Sequence, residues 1–259
     1  MSYPNLIVEI EDGIATVTIN RPEKRNALDR ETFLSLEACF EDLSRDLEVR
    51  AAVVTGAGDR AFVAGADISA IAELDAQAGR EWCALGQRVF NRIEAMRKPV
   101  IAAINGYALG AGLELAMACH LRVAAETARL GQPEVKIGWI PGNGGSQRLP
   151  RLVGVGKALE MMLTGEPVTA EEARWMGLVN SVVPAGKAVE RARELAAQIL
   201  ENSRSAVALV LDAVYQGRHM PFAEALAYEA ALGGIAAASP DAREGARAFL
   251  EKRKPQFER

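Results

Sequence analysis

The sequence is short of the residues that hold small folds and metal centres together. Its 259 residues include three cysteines and two histidines. Cys39, Cys83 and Cys119 are odd in number and widely spaced, with no C-x-x-C, which argues against a disulfide framework and points to reduced, mostly buried thiols in a cytosol-like compartment. His120 and His219 stand alone, a poor basis for a metal site, and no Ser-His-Asp arrangement is evident. Neither a Walker A motif nor a G-x-G-x-x-G unit with a partner acid is present. Thirty Lys and Arg against 34 Asp and Glu give a net charge of −4, with the cations scattered among acids, so no nucleic-acid partner is expected. No apolar stretch approaches the ~20 residues that span a bilayer, and no membrane association is expected. The start, Met1-Ser2-Tyr3-Pro4-Asn5, lacks a basic n-region and a long apolar run, so neither a signal nor a transit peptide is expected, and the chain reads as cytoplasmic.

What is present is a soluble globular composition, about half apolar and a quarter charged, in a chain long enough for one large domain or a domain with an appendage. Leu6–Ile10 and Ile14–Asn20 alternate around Asp12-Gly13, a hairpin signature. Helical spacing runs through Asn26–Ser44 and Ala78–Met96, and short apolar strands are expected at Ala51–Thr55, Pro99–Ile104 and Leu121–Ala125. Repeated strand–helix alternation indicates an α/β architecture with largely buried strands. After about Ala185 the pattern is helical only, at Val189–Leu200, Ser205–Tyr215, Phe222–Ala237 and Asp241–Lys254. A soft boundary is placed near 195, giving a core of 1–195 and an all-helical region of 196–259 whose apolar stripes fit an oligomerisation element or a packed cap.

The segment Asn105–Leu115 carries the most chemistry. A small-residue turn through Gly110, Ala111 and Gly112 joins a buried strand to a helix over Leu113–Cys119, leaving backbone N–H groups free at the helix start, where the helix dipole adds to their pull on an oxyanion. Glu114 sits just inside that helix among almost wholly apolar neighbours. As a dipole-favouring acid it would be worth a few tenths to about 1 kcal/mol; as a half-buried acid its raised pKa would suit proton transfer near neutrality. Glu134 follows Pro133 and is either a first-turn acid of a short helix or a second catalytic carboxylate. Gly142, Gly144 and Gly145 are loop formers that also permit backbone to approach a ligand. Ala64-Gly65-Ala66-Asp67 offers N–H donors along small residues, with Asp67 expected to cap the next helix. Tyr107 and Trp139 read as core or pocket wall. Two acids beside a preformed oxyanion site point to acid/base chemistry on an activated carbonyl compound.

These residues resemble the enoyl-CoA hydratase/isomerase (crotonase) superfamily, over essentially the whole chain. Asn20-Arg21-Pro22 with Asn26-Ala27-Leu28, Phe62–Ile68, Lys98–Ala116 and Gly131–Leu149 are similar, in order and spacing, to four signatures of that family, and Glu251-Lys252-Arg253-Lys254 is similar to its closing helix. The resemblance implies a crotonase-like spiral of ββα units with a C-terminal helical oligomerisation region, assembled as a homotrimer or a homohexamer (a dimer of trimers). It implies an acyl-CoA thioester substrate and no cofactor, coenzyme A being part of the substrate. The backbone N–H groups of Ala66 and Ala111 would form the oxyanion hole, and Glu114 and Glu134 would hold and split a water across a trans-2 double bond to give a 3-hydroxyacyl-CoA, as in fatty-acid β-oxidation. Substrate contacts would come from Lys24, Arg25, Ala27, Ala64, Ala66, Asp67, Ile68, Gly110, Ala111, Pro133, Gly142 and Lys252, the last reaching a neighbouring subunit's CoA. Ala111 stands where many members have glycine, and a positive φ there would cost it energy; His120 stands where aspartate is frequent. A Δ3-Δ2 enoyl-CoA isomerase, which can work with one acid, is the alternative within the superfamily, beside other acyl-CoA lyases. An RNA-binding or purely assembly role is disfavoured by the acidic balance and the paired glutamates.

Overall fold

The chain reverses at Asp12 and Gly13, both left-handed (φ 52° and 75°), and the flanking segments pair antiparallel in register from Leu6↔Ile19 to Glu11↔Ile14. In the computed structural model, which describes residues 3–257, this hairpin opens the larger of two sheets. The elements in order are β1 (Leu6–Glu11), β2 (Ile14–Ile19), α1 (Arg30–Arg45), β3 (Ala51–Gly56), β4 (Ala61–Val63), α2 (Ala76–Glu94), β5 (Val100–Ile104), β6 (Tyr107–Leu109), α3 (Ala111–Ala118), β7 (Leu121–Ala125), β8 (Arg129–Gly131), α4 (Gly145–Val153), α5 (Val155–Thr164), β9 (Val168–Thr169), α6 (Ala170–Trp175), β10 (Ser181–Val183), α7 (Ala188–Leu200), α8 (Arg204–Gly217), α9 (Phe222–Ala238) and α10 (Pro240–Leu250). Strand pairs β3–β4, β5–β6 and β7–β8 each send one strand to a six-stranded sheet of order β1-β2-β3-β5-β7-β10 and one to a four-stranded sheet of order β4-β6-β8-β9. The chain therefore winds as a spiral of ββα turns.

The central strands are apolar without alternation because both faces are covered. Ala52, Val54, Val100, Ala102 and Ile104 face the main core with α1 and α2. Ala51, Val53, Ile101, Ala103 and Val123 face Ala188, Ala192 and Ala196 of α7. Position 195 thus lies inside a helix that belongs to the sheet; the next helix starts only at Arg204, with Ser203 as its cap. α3 runs through the middle, with all eight of its residues buried, which is why its sequence is apolar all round.

Three expectations shift. The first helix begins at Arg30, not Asn26: Arg25 and Asn26 are left-handed (φ 51° and 59°), and Asp29 caps the helix by accepting from the Thr32 N–H at 2.8 Å. The last helix stops at Leu250 rather than running to Lys254, and Lys252 is left-handed. Tyr107 is neither core nor pocket wall; it is 45 % exposed on β6. The cysteines are free thiols, Cys39 and Cys119 buried and Cys83 half-buried. Among the described residues, no helix is long and apolar enough to cross a membrane, and no cluster of three or more His, Cys, Asp or Glu side chains is placed to hold a metal.

Candidate active site

A cavity of about 220 Å³ opens at the start of α3. Ala64, Gly65, Ala66 and Ile68 form one wall, Gly110, Ala111 and Glu114 the floor, and Pro133, Glu134 and Gly142 the far side. Trp82, Cys83, Trp139 and Ile140 add apolar surface. The sequence separations are large, and the two sheets bring the segments together: the residues after β4 and after β6 lie side by side because those strands are parallel neighbours.

The oxyanion site follows from the backbone. Leu28 and Ala66 form an isolated parallel bridge in which the Leu28 N–H donates to the Gly65 carbonyl (2.9 Å) and the Asp67 N–H to the Leu28 carbonyl (2.7 Å). That pattern turns the Ala66 N–H away from the bridge, and among the described residues it donates to no backbone acceptor. Ala111 is the first residue of α3, so its own N–H has no intrahelical acceptor, whereas the Glu114 N–H already donates to the Gly110 carbonyl at 2.9 Å. The strain anticipated at Ala111 is carried instead by Gly110, at φ 52° and ψ −122°, a conformation open to glycine and closed to most side chains. A Cβ at Gly110 would also lie 3.0 Å from Oε1 of Glu134. Ala111 needs only an ordinary helical φ, so alanine serves there as well as glycine.

The two carboxylates differ in their surroundings. Glu114 is 1 % exposed, and three donors hold it: the Asn143 N–H (2.8 Å) and the Gly145 N–H (2.7 Å) on Oε1, and Asn143 Nδ2 (2.9 Å) on Oε2. Burial pushes its pKa up, opposed by those hydrogen bonds and by the nearby Arg148 charge. Glu134 opens a short 3-10 helix, Glu134–Ile137, after Pro133, so it is a first-turn acid and also lines the cavity. Burial, followed by the Glu114 charge, pushes its carboxyl up to about 8. Gln132 is fully buried; with its amide nitrogen turned toward Glu134, as the donors around its other end require, it donates to both carboxylate oxygens at 2.8 and 3.1 Å.

Several residues expected to contact the substrate lie outside this cavity. Asp67 accepts from the Ser69 N–H and hydroxyl and pairs with Arg21 at 3.2 Å, so its carboxylate is the cap of the following short helix. Its pKa is held down first by Ser69, with Arg21 and Lys24 adding to the effect against burial. Lys24, Arg25 and Ala27 form the turn before Leu28, where the Arg25 carbonyl accepts from the Ala64 N–H at 3.1 Å. They support the Ala64–Ala66 wall without lining the cavity, and Lys252 lies past α10. Gly145, read above as a loop former, supplies a backbone donor to Glu114, and Asn143 and Gln132 are carboxylate partners that residue-by-residue reading passed over. Their signal was polar residues set among glycines or before Pro-Glu in otherwise apolar surroundings. His120 is neutral: its Nδ1 accepts from the Val100 N–H at 2.9 Å, and burial lowers its pKa to about 4.

Residues 9–259 match the profile of the family described as enoyl-CoA hydratase/isomerase. A crotonyl-CoA hydratase from Syntrophomonas wolfei is 46 % identical over 257 residues, 99 % of each chain. A short-chain-enoyl-CoA hydratase from Clostridium acetobutylicum is 44 % identical, over 98 % of this chain and 97 % of that one. The crystal structure of an enoyl-CoA hydratase from Bacillus anthracis superposes with a TM-score of 0.93 at 37 % identity, covering 98 % of both chains. With its spiral of ββα turns and a match that spans nearly its whole length, the chain belongs to the enoyl-CoA hydratase/isomerase family.

Proposed function

We propose that this enoyl-CoA hydratase, a hydro-lyase, adds water reversibly to a trans-2-enoyl-CoA with Glu114 and Glu134 as its acid/base pair. The observation that carries this reading is one cavity holding two carboxylates with raised pKa beside two backbone N–H groups free to bind an oxygen. The thioester oxygen sits between the Ala66 and Ala111 N–H groups at the positive end of α3. Charge drawn onto that oxygen makes Cβ electrophilic. Glu114, whose three donors favour the carboxylate, takes a proton from water as its oxygen bonds to Cβ. Glu134, with fewer donors and a pKa of about 8, gives its proton to Cα. Solvent exchange resets both groups. No metal or organic cofactor has a step in this scheme.

The names of the two relatives above support a short acyl group, and the apolar wall of Trp82, Trp139 and Ile140 gives it a dry surface. The test is loss of the conjugated enoyl absorbance over substrates from crotonyl-CoA to long-chain enoyl-CoA, beside a 3-enoyl-CoA. Hydration fastest with crotonyl-CoA is expected; turnover of the 3-enoyl substrate alone would make the protein an isomerase.

The pH profile should report Glu134. The proton donor must be protonated, so kcat/KM is expected to fall as pH rises through about 8. A rate flat from pH 7 to 9.5 would remove Glu134 from the donor role.

We propose further that the helices after α7 assemble a homotrimer or homohexamer. Phe222, Ile235 and Phe249 are 79, 60 and 82 % exposed, and of α9 only Leu232 is buried. Apolar surface of this extent marks an interface. Sedimentation at micromolar concentration is expected to show a trimer or larger species, and a stable monomer would refute the assembly. The free, largely buried thiols accord with a cytoplasmic enzyme.

A further inference from the structure

A second polar cluster lies outside the cavity and converges on Glu114. Arg148, on α4, is 8 % exposed. Its guanidinium forks onto Glu94 at the end of α2, Nε to Oε1 at 3.1 Å and Nη2 to Oε2 at 2.9 Å, and Nη2 also donates to Asn91 Oδ1 at 2.7 Å. The remaining nitrogen, Nη1, donates to the backbone carbonyl of Asn143 at 3.2 Å. Gly144 is left-handed (φ 109°), and a Cβ there would come within 2.2 Å of that same nitrogen, so the guanidinium is seated directly against the 143–145 turn. The other side of the turn presents the Asn143 and Gly145 donors that hold Glu114.

Glu94 has a second cation. Arg218, just past the end of α8, donates from Nη2 to Oε1 at 2.6 Å and stacks 4.6 Å over the Tyr215 ring, which in turn meets His120 at 5.0 Å. The arginines and the Asn91 amide give Glu94 and Arg148 good geometry, but a buried ion pair rarely adds stability over an apolar isostere, because desolvating both charges costs about as much as their attraction returns. What a planar fork supplies is a fixed direction, which lysine does not.

We propose that Arg148 is a positioning residue for the hydration: anchored by Glu94 and Arg218, it fixes the Asn143–Gly145 turn that aims the Glu114 carboxylate, and so ties α8 to the catalytic site. The inference rests on Glu114 being catalytic, as proposed above.

The experiment is a double-mutant cycle on the full-length, assembled protein with crotonyl-CoA, using Arg148→Met and Glu94→Gln, each alone and combined with Glu114→Gln, the slow variants being followed with enzyme in excess. Arg148→Met is expected to lower kcat on the order of 10²-fold, the scale of a misplaced catalytic group, while KM stays within about twofold. Glu94→Gln should lower kcat about tenfold by loosening the anchor. In the Glu114→Gln background neither change should slow the residual reaction further. A simple fold defect would slow both backgrounds alike and lower the melting temperature in step. Equal factors in the two backgrounds, or a parental kcat in Arg148→Met, would overturn the proposal. Should Arg148→Met not fold, the Glu94→Gln cycle decides, and a parental kcat there overturns it equally. A parental rate in Glu114→Gln alone would instead refute the catalytic assignment on which the inference stands.

Discussion

Glu114→Gln is expected to slow crotonyl-CoA hydration on the order of 10²–10⁴-fold, the span of a lost general base, in a protein that folds as well as its parent. The carboxylate is buried on a helix with no exposed residue, and burial already disfavours its charge. The amide is isosteric. Its oxygen can keep the Asn143 and Gly145 N–H bonds, and its new N–H₂ would face Asn143 Nδ2, a donor against a donor. That conflict is resolved locally, because Asn143 Oδ1 has no hydrogen-bond partner among the described residues and a flip of its amide offers an acceptor instead. Glu134→Gln should lose activity on a similar scale by removing the proton donor. It should also change the pH dependence of stability, with a definite sign. The folded-state pKa of Glu134, about 8, lies above its ordinary 4.5, so the folded protein binds this proton more tightly than the unfolded chain. Stability associated with the group is complete below about 4.5 and is lost as pH rises toward 8. The glutamine variant lacks that loss, and its melting temperature should exceed the parent's most at pH 8–9. Near-parental kcat/KM in either variant, with a matched circular dichroism spectrum, would end the two-acid assignment.

The parts of the molecule readable from sequence are those in which one local pattern has one outcome. The Asp12-Gly13 hairpin, the apolar run of β5 and the capped amphipathic α2 are of this kind. So is Glu114, whose almost wholly apolar neighbours already imply an acid at least half-buried. The short strands β6, β8 and β9 were not legible, since two or three residues carry no periodicity and each exists only because a neighbour pairs with it. The start of α1 was misplaced because Ala27 and Leu28 continue its apolar pattern, while the left-handed backbone at Arg25 and Asn26 is enforced from a distance: Asn26 Nδ2 is spent on the carbonyls of Ala57 and Ala61. The same holds at the site. That Glu134 and Gly142 are special could be argued from residue type, but the Gln132 contact depends on the direction of one side chain. The Arg148–Glu94 pair joins residues 54 apart, so no window of sequence contains both.

Ala66→Pro is expected to lower kcat/KM about 10²–10³-fold, the effect of deleting one oxyanion donor, with little change in melting temperature. The substitution suits this position because it removes a hydrogen and leaves the local bonds intact. The bridge to Leu28 is made by the Gly65 carbonyl and the Asp67 N–H, and both remain. Ala66 is not among the residues with positive φ, so the proline ring does not force a reversal of the backbone. The ring carbon replacing the hydrogen points to where the thioester oxygen would sit, so oxygen binding is blocked as well as unassisted. Ala111→Gly is the matched control. It keeps the second donor and adds only the small cost of glycine in the first turn of a helix whose remaining contacts are untouched. Its kcat/KM should therefore stay within a few-fold of the parent by the same propensity scale. Loss of the donor should act chiefly on kcat, because negative charge on the thioester oxygen is larger in the transition state than in bound substrate. If Ala66→Pro keeps both its melting temperature and its full kcat/KM, the carbonyl does not bind at Ala66. The acyl group would then enter the cavity in another orientation, and the pairing of Glu114 with water and Glu134 with Cα would have to be rebuilt from that placement.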